Sequence, residues 1–452
     1  MLKPFTMKIN IKTGLDLKLA GAVAVDAVDS PHRKVDPDYC AIFPDDYPGF
    51  TPKLAVKEGD KVEIGTALMH DKKDTDTVLV SPVSGTVKEI VRGERRKIIK
   101  VVVKNDRADN HVTFDTSMPT AQLLGQSGLL ATMRNRPYDI VPNSGTTPRD
   151  IFVTALDTAP LALPLTAQLG NNATEALTKA VAALKTLTSG KVYISTGDDW
   201  TFGDIDGAEQ VSVSGPHPAG NVGIQIANIA PINKGENVWT LDVVALYKIG
   251  VLLSTGHIDP TVTVAVVGPE VAKTAIVDTV AGSDIKPILA GLLSDDTTHH
   301  IRIISGNVLT GTAVSEADGF LHTPWRQVTV IAEGDDVDEF MGWASIAPSK
   351  LSVNRALPLH WLHKLFSPDA RLLGGRRAMI MSGEYDKVLP MDIMAEYLLK
   401  AILSHNIDDM EALGIYEVAP EDFALCEFVD TSKLPVQKII RDGLDYLHKE
   451  LE

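Results

Sequence analysis

Apolar and polar positions alternate over short runs between residues 54 and 103, in LAVKEGDKVEIGTALMHDKKDTDTVLVSPVSGTVKEIVRGERRKIIKVVV. A period of two marks half-buried β-strands. Glu58-Gly59-Asp60, Gly65, Pro82 and Ser84-Gly85 cut the stretch into short pieces. Val56, Val62, Ile64, Val78, Val80, Val83 and Val87 are the expected inward residues. Between residues 104 and 250 the pattern switches back and forth. Thr120 to Met133 and Asn172 to Leu187 read as helices. Ile151 to Ala155, Lys191 to Ser195, Gln210 to Ser214 and Val238 to Val243 read as strands. Such alternation predicts a layered α/β domain. From residue 260 to 333, TVTVAVVGPEV predicts a strand and turn, IKPILAGLL a short helix, and HHIRIISGNVLTG a return to strand. Beyond Pro390 the spacing becomes helical: Met391, Met394, Ala395, Leu398, Leu399, Ile402 and Leu403 follow a 3.6-residue period. Pro390 suits a first helical turn, Asp408 with Glu411 a capping box, and Gly414 a stop. Leu434 to Leu447 is a further amphipathic helix entered at Pro435.

A chain of 452 residues, 44% apolar and 23% charged, has the balance of a globular protein of two to four domains. The expected fold class is α/β multidomain, with limits drawn from the pattern changes. Residues 1–53 form an N-terminal segment packing on the α/β domain. Residues 54–103 form a barrel-sandwich hybrid, similar to the biotinyl and lipoyl domains in which VxxGDxVxxGxxL and SPxSGxV recur. Residues 104–259 form the α/β domain, and 260–333 resemble a soluble-ligand-binding β-grasp module. Residues 334–389 form a linker region and 390–452 a C-terminal helical domain. The formal charge of −16 repels phosphate backbones, so nucleic acid is not an expected partner. Only Cys40 and Cys426 occur, which excludes a disulfide framework and fits a reducing compartment. The first residues lack the apolar core of a signal peptide. No run of about 18 apolar residues predicts a membrane-spanning helix.

Several motifs invite chemistry. Lys72 and Lys73 stand near where a lipoyl or biotinyl domain carries its modified lysine, but the tip HDKKDTDT lacks the usual surrounding motif. A structural barrel with a solvated tip outweighs a swinging-arm carrier. VSVSGPHPAGNVGIQI places Gly215, Gly220 and Gly223 after a strand, where bare backbone amides can approach a ligand. The spacing G-x4-G-x2-G is not the dinucleotide fingerprint, and no clear helix is expected after it. His217 sits stiffly between Pro216 and Pro218. These four residues, His217, Gly215, Gly220 and Gly223, are the candidate cofactor- or ligand-binding residues, with Trp239 and Tyr247 as aromatic faces near in sequence. A tight structural loop is the competing reading. His299-His300, and His360 with His363, lack the cysteines or carboxylates typical of zinc, so no metal is expected. No catalytic residue is assigned, because no nucleophile elbow, zinc-protease helix or Walker loop occurs. A [4Fe-4S] cluster needs four thiolates, and two cysteines cannot supply them. Cys426 reads as a small apolar helix residue.

The segments GLDLKLAG, SPVSGTVKEIVRGERR, NSGTTPRDIFVTALDTAPLA, SGPHPAGNVGIQI, GTAVSEADGF and MSGEYDKVLPMDIMAEYLLKAI with LCEFVD resemble the A subunits of sodium-translocating NADH:quinone oxidoreductases from about residue 8 onward. The resemblance implies a Rossmann-like α/β domain related to the flavin subunit of respiratory complex I and to the C subunit of Rnf complexes. It implies a peripheral subunit on the cytoplasmic face of a bacterial membrane complex that oxidises NADH, reduces quinone and moves sodium outward. NADH, flavins and an iron–sulfur centre would then lie on partner subunits, integral membrane and flavin-bearing ones among them, with no cofactor bound in this chain and quinone as a candidate substrate contact. Members commonly read LCxFVCPSK near the C-terminus; here Asp430 and Thr431 replace the Cys-Pro pair. Two alternatives differ in class. An Rnf- or complex-I-like NADH/flavin electron-input module is disfavoured by the missing flavin loop and cysteines, and a carrier modified on Lys72 or Lys73 by its tip sequence.

Overall fold

A computed structural model describes residues 7–24, 28, 31–170, 172–293, 299–335, 351, 364–372 and 374–451. His360 and His363 lie outside these residues.

Among the described residues four sheets form. The first runs in the order Met7–Asn10, Glu209–Ser214, Val192–Thr196, Ile151–Ala155, Val238–Asp242, Arg134–Arg136. Neighbours pair in parallel except the antiparallel edge Arg134–Arg136. Both faces are covered, as parallel strands require. Ile151, Val153 and Ile194 face the helices Ala173–Leu184 and Val243–Thr255 through Leu177, Leu246 and Ile249. Phe152 and Val238 face the opposite way, onto Ile226.

Ile226 belongs to a helix, Val222–Ile229, that starts directly after the glycine loop, where the sequence predicted none. Val222, Ile224 and Ile226 recur at a period of two and Gly223 is a poor helix former, which reads locally as strand or loop. Burial of Ile224 and Ile226 overrides that preference.

The barrel-sandwich hybrid is built from two antiparallel sheets. One contains Tyr39–Ile42, Ile98–Asn105, Gly85–Arg92 and Lys61–Val62; the other contains Pro52–Leu54, Ala67–Asp71 and Val78–Val80. Val62, Ile64, Val78, Val83 and Val87 are buried, whereas Val56 and Val80 are only partly so. The third large sheet places Thr261–Val267 between Gln327–Ala332 and Ala275–Val280, and the short helix Ile285–Leu289 packs Ile285 and Ile288 against it. The first fifty residues are shared out: Met7–Asn10 joins the α/β sheet, Arg33–Lys34 the third sheet and Tyr39–Ile42 the barrel.

At the C-terminal end the helices are Ala395–Leu403, Ile407–Ala412, Ala424–Val429 and Val436–Leu451. The first begins five residues after Pro390, which is therefore not in its first turn. Val388 and Leu389 are already buried ahead of Pro390, and bends carry the chain from there to the helix. Leu398, Leu399 and Ile402 are buried, but Met394 and Leu403, at 63% and 55% exposure, fall outside the stripe. Ile407–Ala412 is capped not by an Asp408–Glu411 box but by Asn406, whose side chain accepts the Asp409 N–H. Gly414 does sit in the left-handed region just past that helix.

Candidate functional site

In the parallel sheet the chain moves outward from Ile151–Ala155 through Val192–Thr196 to Glu209–Ser214. It then returns to add Val238–Asp242 on the other side of Ile151–Ala155. The strand order thus reverses between Ile151–Ala155 and Val238–Asp242. In open α/β sheets ligands bind beyond the carboxyl ends of the strands at such a reversal. A cavity of about 180 Å³ lies there, lined by Thr154, Leu156 and Asp157 after the first strand and by Asp242 at the end of the second. The glycine loop contributes His217 and Gly220, the third sheet contributes Trp325 and Arg326, and the C-terminal region contributes Glu421.

His217 is held from three directions. Its backbone N–H donates to Asp16 Oδ1 at 2.9 Å, and its carbonyl accepts the Leu15 N–H at 2.8 Å. Its Nδ1 lies 3.1 Å from Thr158 Oγ1. The Gly220 N–H donates to that same Thr158 oxygen at 2.9 Å. Thr158 Oγ1 thus joins the loop backbone to the imidazole; when the ring hydrogen is on Nε2, the hydroxyl donates to Nδ1. Burial pushes the ring down to about 4, and Asp16 only partly opposes it, so His217 is neutral near pH 7.

The other loop residues act at different places. Gly220 lines the cavity, and a side chain there would run within 2.6 Å of the Thr158 nitrogen. Gly215 (φ +139) faces away: a Cβ would meet the Ile11 carbonyl at 2.3 Å, so its glycine lets the loop press on the first strand. Gly223 also lies away from the cavity, and a Cβ there would stand 2.2 Å from Asp422 Oδ2. Asp422 is itself buried, accepting the Ala419 N–H at 2.9 Å beside the buried Arg136.

Neither proposed aromatic reaches the cavity. Trp239 is fully buried in the sheet core, and the Tyr247 hydroxyl donates to Asn172 Oδ1. The aromatic that does is Trp325, which no local pattern marks. Arg326 beside it donates to Asp242 Oδ2 at 2.8 Å, while Asp242 Oδ1 caps the helix Val243–Thr255 by accepting the Ala245 N–H.

Lys72 and Lys73 are exposed at the barrel tip. His299 and His300 turn to separate carboxylates, Glu270 and Asp335, each at 2.9 Å. Among the described residues no three His, Cys, Asp or Glu side chains are grouped to hold a metal ion, and no helix is long and apolar enough to cross a membrane. Cys426 is buried on Ala424–Val429, and burial raises its thiol well above the usual range.

Three family descriptions match successive parts of the chain. They are the NqrA N-terminal barrel-sandwich hybrid domain over residues 9–106, the NqrA second alpha/beta domain over 117–258 and the NQRA C-terminal domain over 263–316. The chain is 35% identical to the A subunit of the Na(+)-translocating NADH-quinone reductase of Serratia proteamaculans, over 98% of this chain and 100% of that protein. It is 34% identical to that of Neisseria meningitidis serogroup B, over 98% and 100%, and 33% identical to that of Rhodopirellula baltica, over 97% and 98%.

Proposed function

The chain belongs to the family of A subunits of the Na(+)-translocating NADH-quinone reductase, and on that premise we propose that it is a peripheral, cytoplasmic-face subunit whose cavity at the strand-order reversal receives a quinone headgroup. The complex it serves couples NADH oxidation and quinone reduction to outward sodium transport. NADH, flavin and iron–sulfur chemistry belong to partner subunits, both integral membrane and flavin-bearing. This chain binds and orients; it transfers no hydride. Residues 104–259 act as a Rossmann-like domain, 260–333 as a β-grasp module and 390–452 as a helical domain. Residues 1–53 are the N-terminal segment, which gives Tyr39–Ile42 to the barrel whose main part is 54–103, and 334–389 are the linker.

The observation that carries the headgroup reading is the Gly220–Thr158–His217 hydrogen-bond chain at the cavity wall. A quinone is planar and uncharged, with two carbonyl oxygens that accept hydrogen bonds. A neutral imidazole with its hydrogen on Nε2 is a fitting donor, and an imidazolium is not required. Trp325 offers a flat apolar face in the same cavity. The loop is held beforehand by Asp16 and Leu15, so little ordering entropy is lost on binding. Two experiments test the proposal. Purification from native membranes should bring down sodium-pump subunits with the chain. Calorimetry of the full chain with a tail-free benzoquinone should show saturable binding that weakens roughly tenfold, about 1.4 kcal/mol, in His217→Ala. Equal binding by a folded variant removes His217 from the site.

A further inference from the structure

Among the described residues, Asp157, Asp242, Arg326 and Glu421 are the charged side chains that line the cavity beside His217. Three of them are committed to other groups. Asp242 accepts the Ala245 N–H and takes the Arg326 guanidinium at 2.8 Å. Asp157 accepts the Ala159 N–H at 2.8 Å; burial raises its carboxyl, while that N–H and Arg326 favour its charged form. The Glu421 carboxyl has no hydrogen-bond or ion-pair partner among the described residues. It is exposed, into the cavity that it lines.

The place of Glu421 is nonetheless fixed. It stands in the single turn Pro420–Phe423, whose next residue, Asp422, is buried beside Arg136. The Asn221 side chain donates to the Glu421 carbonyl at 3.0 Å, so the glycine loop that carries His217 also holds the Glu421 backbone. Removal from bulk water, with Asp422, Asp139 and Asp157 close by and Arg136 opposing them, pushes the Glu421 carboxyl up to about 8. The group therefore carries its proton near pH 7.

Reduction of a quinone to a quinol takes up two electrons and two protons. His217 is a poor source of either proton, because a neutral imidazole that gave up its N–H hydrogen would become an anion. We infer that Glu421 is the proton donor to one carbonyl oxygen of a quinone reduced in this cavity. The inference rests on the headgroup reading above, with electrons arriving from NADH through the partner subunits. As the quinone takes them up, the Glu421 O–H bond breaks and an O–H bond forms on one quinone oxygen. The other oxygen takes its proton from water, and the Glu421 carboxylate left behind is reprotonated from the water of the cavity.

Turnover of the assembled complex carrying Glu421→Gln tests this. The amide keeps the size and neutrality of the acid but has no proton to give. At saturating quinone kcat should fall at least about tenfold, the scale on which a positioned acid acts. The fall of kcat as the pH rises through about 8, where the acid form is lost, should vanish. Calorimetric affinity of the full chain for a tail-free benzoquinone should stay within about twofold. Ferricyanide reduction by NADH, which needs electrons alone, should be unchanged. Glu421→Asp should restore the alkaline fall and part of the rate, and Glu421→Ala serves if the Gln variant does not assemble. An unchanged kcat, an alkaline fall that persists in the Gln variant, or an equal loss with ferricyanide overturns the inference. The headgroup reading fails separately: if His217→Ala leaves quinone affinity intact while Glu421→Gln removes the alkaline fall, the proton donor stands and the His217 contact falls.

Discussion

The C-terminal helices and the Ser214–Gly223 loop touch one another, yet they are held in place by different physics. The helices are fixed by apolar burial: Leu398, Leu399, Phe423, Leu444 and Leu447 form one cluster that also takes in Val211, Val213 and Ile224 of the α/β part. No single contact defines their position. The loop is fixed largely by a few polar contacts and close backbone approaches to partners distant along the chain. Packing of the first kind tolerates a range of side chains at each position. Anchoring of the second kind tolerates very few, because a buried polar group left unmatched costs about 1–3 kcal/mol, more than a hydrogen bond contributes net. A region held that way keeps a side chain such as His217 at a set place and in a set protonation state, which a binding site requires.

The largest expected effect is on the apolar side of this contrast. Leu398→Ala should destabilise the chain by about 2–5 kcal/mol in a urea titration, as a fully buried leucine does. A loss below about 0.5 kcal/mol, typical of surface positions, would place that helix face outside the core.

The pH dependence of the loop comes next. The folded value of His217, about 4, lies below its ordinary 6.5. Between those two values the unfolded chain binds a proton that the folded chain does not. Its contribution is therefore complete above about pH 6.5 and is lost as the pH falls towards 4, by roughly 3 kcal/mol in total. The stability difference between the unaltered chain and His217→Ala should narrow over that window; a constant difference would mean that the buried ring titrates normally.

Gly223→Ala should cost about 1–3 kcal/mol, because the new methyl group meets the Asp422 carboxylate and Asp422 is fixed by Ala419 and Arg136. Calorimetric melting checks it, and an unchanged Tm would show that the loop and the C-terminal region separate easily. The smallest effect belongs to the barrel tip. Replacing both Lys72 and Lys73 by Ala should change stability by no more than about 0.5 kcal/mol, since both are exposed. Intact mass should show neither lysine modified.

The same contrast explains what could be read before the structure. Apolar periodicity is a local signal, and it marked the barrel strands, the parallel strands of the α/β sheet and the buried face of Ala395–Leu403. It failed where burial overrides local preference, as in Val222–Ile229, and at the edges of a stripe, where Met394 precedes its helix and Leu403 ends it exposed. Around the cavity, His217 and Gly220 stood out because prolines and glycines are conspicuous in sequence. Their neighbours did not. Asp16 is 201 residues from His217, Thr158 is 59, and Trp325 arrives from another sheet. Trp239 was nearer in sequence but points into the core. No local pattern carries such long-range polar pairings; only the topology of the sheet brings them together.

Steady-state kinetics of the assembled complex carrying His217→Ala test the headgroup assignment most directly. With the other subunits present in normal proportion, the KM for quinone should rise several-fold and the KM for NADH should stay unchanged. An unchanged quinone KM in a normally assembled complex would contradict it.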